Sequence, residues 1–493
     1  MSIGKKILGS VAVAGLVWAG ATAYIGSNTE GYLNSYIENT NKIYANNGMK
    51  MSLLSFEKGF IESEAKISVD FIDPNMKKEL GQFLKLPMVM DYEIENGPLL
   101  FKDGVAFGAS KINSTVNVKE FLVDKESLKA FVKEDIVLNT SMLVDFTNHV
   151  TYSGDSNKIV TNIDDDIFTI APLKLKGKMD LETFVGTLKM KSDSITGLLA
   201  NGGKTKVEDL TLDADMTKLF ANGFYLGNFL LTANNINIDN PAIPQKISNA
   251  QFKMVMNLEQ NSKLATGEAL VNMNFGMNLK MGDTKLAPEY DFLKEFALDY
   301  GLDGIKLEAL MAFQESMKEV QQQQQAILTK LSSVKTAEEQ MKVLEELQVI
   351  QKNLQDKMGR LLADFLVKDQ TTFKLKSVLV DSSNKKSNAM LNVRYVGDEV
   401  LPKTVKEIEA KFKKELLNWL TFNVNLKLEK SLVQKLPKPL QQQLSMAIMT
   451  GMLQDNNSSY RFDANYVPKK LMVNGEDKSE MLQLLEMTLG RGM

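Results

Sequence analysis

Residue types able to carry chemistry are few in this chain of 493 residues, which has one histidine and no cysteine. His149 stands in VDFTNHVTYSGD near the end of an expected strand. A lone imidazole can exchange a proton, but it cannot build a multi-histidine metal site. A serine triad would have to use it, and no G-x-S-x-G elbow is present to present the nucleophile. Without cysteine there is no thiolate nucleophile, no zinc-thiolate centre and no disulfide. Neither a G-x-x-x-x-G-K-[ST] loop nor a G-x-G-x-x-G turn after a strand occurs, so nucleotide handling has no visible support. The densest acidic cluster is Asp164-Asp165-Asp166. Adjacent aspartates on extended chain point to opposite sides, whereas a hard cation needs carboxylates gathered around one point, so a solvated turn is the expectation. A glycosidase pair needs two carboxylates about 5–10 Å apart, which is a tertiary fact. No residue is therefore assigned a catalytic, cofactor-binding or metal-binding role, and no cofactor is called.

The elements that would have to position any site are mostly strands. From Lys50 to about Tyr300, segments such as IESEAKISVDF, VMDYEIE, IVLNTSMLVDF, VEDLTLDADM and AQFKMVMNLE place apolar residues on one face at period two. Gly154-Asp155, Asn201-Gly202-Gly203, Asn222-Gly223 and Gly282-Asp283 read as hairpin punctuation, which favours an antiparallel meander over parallel crossovers. Pro74–Leu86 and Lys125–Lys133 read as short helices, and Ala287–Leu298 as a helix leading into the strongly helical region. There Leu310, Phe313, Met317, Val320, Ile327, Leu331 and Val334 form a packing stripe. Thr336-x-x-Glu339 has the form of a capping box that starts a second helix. The expectation is a helical hairpin, with one continuous rod as the alternative. Strands return after Asp369 (FKLKSVLVD, SNAMLNVRYVG, LTFNVNLKLEK and YRFDANYV). Helices are expected over Pro402–Leu417, Leu440–Leu453 and Glu480–Leu489.

The N-terminus gives a compartment. Lys5-Lys6 precede an uncharged run from Ile7 to Ile25, whose length as a helix is about 28 Å against a hydrocarbon core of about 30 Å. Ile7, Leu8, Val11, Val13, Leu16, Val17, Trp18 and Ile25 are its anchoring apolar residues. Lysines before it and none until Lys42 after it put the N-terminus in the cytoplasm and the body outside. Ala21-Thr22-Ala23 also satisfies a signal peptidase site with cleavage before Tyr24. The lipid bilayer is thus the first expected partner. Residues 27–49, with Tyr32, Leu33, Tyr36 and Ile37 near helical spacing, read as a stalk that docks on the body. The balance of 58 basic and 61 acidic residues argues against nucleic-acid binding. The fold class is α+β: a transmembrane helix (1–26), the stalk (27–49), an elongated, mainly antiparallel sheet (50–300), an inserted helical hairpin (301–368), and β-hairpins with C-terminal helices (369–493).

Several landmarks carry a family resemblance. Gly59-Phe60-Ile61-Glu62-Ser63 sits in the first hairpin, Gly97-Pro98 follows a strand, and a late strand ends in Asn474-Gly475. With the N-terminal anchor, their order and spacing resemble the YdgA-like bacterial proteins of the family called domain of unknown function 945. Members of that family tend to carry histidine before the Gly-Pro pair, where this chain has Asn96, so acid-base chemistry at that position does not carry over. The resemblance implies an inner-membrane-anchored, periplasmic, sheet-rich protein without an assigned activity. At fold level the plan is also similar to the AsmA-like envelope proteins.

Two readings of function follow. In the first, the chain is a non-enzymatic envelope protein whose sheet holds a lipid or a protein partner on its apolar face, since such a face must be covered by helices, another sheet or a ligand. In the second it is a carboxylate-based envelope hydrolase acting on glycan or peptide. Self-association through the helical hairpin is compatible with either. Protease added outside intact spheroplasts should degrade the body while leaving a membrane-bound N-terminal fragment; a body protected until the membrane is permeabilised would overturn the orientation.

Overall fold

The structure is a computed structural model that describes residues 29–482 apart from 43–47, 73, 83, 103, 124–133, 164, 221–222, 243–245, 285, 287–290, 334–335, 398–406, 408–414 and 416. The apolar run 7–25, the helix expected over 125–133, and most of those expected over 402–417 and 480–489 lie outside these residues. No helix among the described residues is long and apolar enough to cross a membrane. The chain divides into two units, Met1–Pro244 and Gln245–Met493.

In the first unit, period-two burial sets the sheet. β1 (Met49–Glu57), β2 (Glu62–Phe71) and β3 (Met88–Asn96) pair antiparallel. In β2, Ser63, Ala65, Ile67 and Val69 are buried while Glu62, Glu64 and Lys66 face solvent. A small ribbon of β4 (Leu99–Leu100) and β5 (Ala106–Phe107) separates β3 from β6 (Ser110–Asn117). The meander continues through β7 (Val137–Val144) and β8 (His149–Ser156). β9 (Ile159–Ile163) and β10 (Asp166–Ile170) form a hairpin on the end of β12. β11 (Leu173–Asp180), β12 (Gly186–Leu198), β13 (Lys204–Leu219) and β14 (Tyr225–Asp239) complete the ladder, β11 pairing with β8.

Residues 29–42 form helix α1. Its buried residues Thr29, Leu33, Ile37 and Thr40 recur at helical spacing. Leu33 and Ile37 pack on Ala65, Ile67 and Ile94 of β2 and β3. The far end is pinned by Asn41, whose amide donates to the Met51 carbonyl at 2.8 Å and accepts from the Met51 N–H at 2.7 Å. The helix expected over 74–86 is shorter, α2 (Pro74–Leu80).

The second unit runs β15 (Ile247–Lys263), β16 (Ala269–Lys280), β17 (Leu293–Lys306), β18 (Thr372–Asp381), β19 (Lys386–Tyr395), β20 (Leu420–Glu429), with antiparallel pairing between neighbours. Helices α3 (Leu307–Ser333) and α4 (Ala337–Phe365) are inserted between β17 and β18. Short α5 (Lys430–Val433) and α6 (Lys438–Met449) precede β21 (Gln454–Asn456), β22 (Ser459–Val467), β23 (Lys470–Val473) and β24 (Glu476–Asp477). β22 joins β20 and carries β21 and β23.

Two local expectations are corrected. Residues 293–298 are strand, because β17 lies between β16 and β18 and both ladders claim its backbone, with Phe296 opposite Leu279 and Leu379. Gly154-Asp155 is not a turn: Gly154 lies inside β8 opposite Thr140 and Leu175, and the chain reverses after Ser156.

The helical hairpin forms as expected. Thr336 caps α4, its hydroxyl accepting from the Glu339 N–H at 3.3 Å and donating to the Glu339 carboxylate at 2.8 Å. Phe313 near the start of α3 meets Phe365 at the end of α4 with centroids 5.6 Å apart, and Lys357 pairs with Glu319 at 2.5 Å, so the helices run antiparallel. Leu310, Val320, Ile327 and Val343 are buried in this chain alone. Ile327→Ala should cost about 2–5 kcal/mol, whereas exposed Met341→Ala should stay within about 0.5 kcal/mol. Faster amide exchange across 307–365 for the first variant alone is the expected readout.

Candidate functional site

The functional geometry of the first unit begins with one asparagine. Asn96, the last residue of β3, is fully buried, and a buried amide has to find partners for both its ends. Its Nδ2 donates to the Ser63 hydroxyl at 3.0 Å and to the Gly59 carbonyl at 3.3 Å, and its Oδ1 accepts from the Thr29 hydroxyl at 3.1 Å. The Ser63 hydroxyl accepts in turn from the Gly59 N–H at 3.1 Å. One side chain thus ties together the start of α1, the β1–β2 turn and the end of β3. The glycines are there for space. A Cβ on Gly59 would stand 1.6 Å from the Glu62 carbonyl oxygen, and one on Gly97 1.7 Å from that of Gly108. The Gly97-Pro98 peptide is cis. Phe60 and Ile61 are about half exposed at the outside of the turn. The sequence landmarks Gly59, Ser63, Gly97 and Pro98 therefore converge on one knot around Asn96.

Beside the knot, α1 roofs a cavity of about 420 Å³. Its walls are apolar side chains from one face of the sheet, among them Ile67, Tyr92, Ile112, Met142 and Val150, with Leu33 and Tyr36 of α1 above. Tyr36 also stacks on Phe184, centroids 5.9 Å apart. Burial, with Tyr36 nearby, pushes the Tyr92 phenol up to about 12, so it stays neutral. The rim is the β7–β8 turn, with Asp145, Phe146 and Asn148, and Asp145 is the one charged residue among the lining residues. Burial would raise the Asp145 carboxyl, but hydrogen bonds from Thr147 and His149 outweigh it and hold the group below its usual range.

His149 opens β8 at the surface, Nδ1 3.0 Å from the Thr147 hydroxyl and 4.0 Å from Asp145, Nε2 3.7 Å from Asp180. It is a turn residue held between carboxylates. Asp180 is lowered by hydrogen bonds from the Thr183 side chain and backbone and from the Glu182 N–H. Asp165 and Asp166 form part of the β9–β10 turn, Asp165 at positive φ and Asp166 accepting from the Ala200 N–H at 2.7 Å. Among the described residues no group of three or more His, Cys, Asp or Glu side chains is arranged to hold a metal ion.

The opposite face of β1–β3 carries a second concavity of about 350 Å³ with five glutamates: Glu57, Glu62, Glu64, Glu93 and Glu95. Sequence reasoning missed it, although Glu57 opposite Glu64 and Glu64 opposite Glu93 follow once register is known. Lys102 enters this space, 2.5 Å from Glu93 and 4.0 Å from Glu62. Buried Glu95 accepts from the Phe101 and Lys102 N–H groups, so it serves the turn after β4.

Asn474 and Gly475 lie in the second unit, where both take positive φ in the β23–β24 turn, as a type I′ hairpin requires. Asn474 exchanges hydrogen bonds with the Asp463 backbone at 2.7 and 2.9 Å and donates to the Met452 carbonyl at 2.8 Å. The same unit's apolar face stays partly open: Met256, Tyr300 and Phe373 are each 39% exposed. Phe275 stacks on Tyr300 there, centroids 4.9 Å apart.

A mainly antiparallel sheet with a roofed apolar cavity defines a β-rich protein. The chain belongs to the family described as bacterial protein of unknown function (DUF945), which it matches over residues 5–480. No curated protein and no solved structure matches it. Asn96→Ala should orphan the Thr29, Ser63 and Gly59 groups at about 1–3 kcal/mol each. Faster amide exchange confined first to 29–42 and 59–63 is the expected result, and unchanged exchange there would show that the knot does not hold α1.

Proposed function

We propose that this is a membrane-tethered, exported protein of the bacterial envelope whose role is non-enzymatic binding of an apolar ligand. The observation that carries this reading is the cavity beneath α1: about 420 Å³, apolar-walled and bounded by a neutral tyrosine. A volume of this size lies within the roughly 300–1,000 Å³ usual for ligand sites. The half-exposed apolar face in the second unit supports the same chemistry. The tether is the uncharged run from Ile7 to Ile25, flanked by Lys5-Lys6, which puts the N-terminus in the cytoplasm and the body in the periplasm.

The alternative, a hydrolase using carboxylates, draws on the glutamate-lined concavity. It is the weaker reading, because Lys102 already pairs with Glu93 and Glu95 is bound by backbone N–H groups. Extraction of the full chain in mild detergent followed by lipid mass spectrometry should find co-purifying lipid, reduced at least several-fold by Met142→Trp, which fills the cavity. A lipid-free protein, or equal lipid in the filled variant, would remove the binding reading.

A further inference from the structure

Resting on the binding reading above, we infer that the cavity takes one acyl chain of a bilayer phospholipid whose headgroup ends in an ammonium, with Asp145 receiving that ammonium at the rim. Two observations select this occupant. The first is charge. The lining holds no lysine or arginine, so a free fatty-acid carboxylate has no cation to meet there, while Asp145 brings a single negative charge to the mouth. The Thr147 N–H at 2.7 Å, the Thr147 hydroxyl at 2.8 Å and the His149 N–H at 3.0 Å all donate to its Oδ1. Oδ2 makes no hydrogen bond among the described residues, and the side chain is 47% exposed, so an accessible oxygen faces incoming donors. The carboxylate is held anionic by its hydrogen bonds. Among the described residues the basic group paired with it is His149, 4.0 Å from Oδ1 and shared with Asp180.

The second observation is chain length. Thr29, which lines the cavity, follows Ile25, the end of the apolar run, by four residues. At about 3.3–3.6 Å per residue that span is at most about 14 Å. A run seated in the bilayer therefore keeps the cavity within reach of the outer surface of the same membrane, where lipid is the most concentrated apolar molecule.

The test uses the full chain in detergent micelles doped with phosphatidylethanolamine or phosphatidylglycerol of matched acyl chains, read by native mass spectrometry. Wild type should retain the ethanolamine lipid about fivefold better, the gain expected of one partly exposed ion pair. Asp145→Asn keeps the Oδ1 acceptor and should lose the preference while still binding both lipids; unchanged exchange over 145–149 checks that the turn is intact. Equal retention by wild type, or a preference that survives Asp145→Asn, would overturn the headgroup assignment and leave the cavity reading standing. Binding of neither lipid, or binding unaffected by Met142→Trp, would overturn both.

Discussion

The first unit depends on the burial of a single amide. Asn96 has no water to fall back on, so every partner it lacks would cost about as much as a typical point mutation does in total. That penalty couples parts of the chain far apart in sequence: Thr29, Gly59, Ser63 and Asn96 must all be in place together. Once they are, α1 lies across the β2–β3 face and lines the cavity with Leu33 and Tyr36. The glycines follow from the same constraint, since neither turn could approach so closely with a Cβ present.

Burial is uneven along the strands. In the second unit Leu270 and Val271 at the start of β16 and Ile305 at the end of β17 are sealed, while Met256 of β15, Tyr300 of β17 and Phe373 of β18 remain partly in water. Backbone hydrogen bonding carries such long strands without a thick core, because residues 295–302 of β17 are paired on both sides. A cysteine-free chain that leaves apolar surface open in this way has to tolerate or occupy it.

Much of the fold was legible from periodicity. Alternation located β2, β3, β7 and β13, and the spacing of Thr336 to Glu339 marked the break between α3 and α4. Where local cues misled, tertiary pairing decided. Residues 293–298 have helix-compatible composition yet are flanked by two strands, and Gly154 serves close packing within a ladder instead of a reversal. The knot was half legible. Gly59, Ser63, Gly97 and Pro98 were visible as landmarks, but nothing in one dimension could show that Thr29 and Asn96 meet. The glutamate concavity was hidden for the same reason: its row exists only after β1, β2 and β3 are set in register.

The position of Thr29 also makes α1 a mechanical coupling. Among the described residues, a pull on the chain from its N-terminal side meets the Thr29–Asn96 hydrogen bond before the rest of a helix held by side-chain packing rather than by a β-ladder. Sliding that helix would strip Leu33 and Tyr36 from the roof of the cavity before disturbing a single strand. Load on the N-terminal side of the chain and access to the interior are thus borne by the same fourteen-residue element.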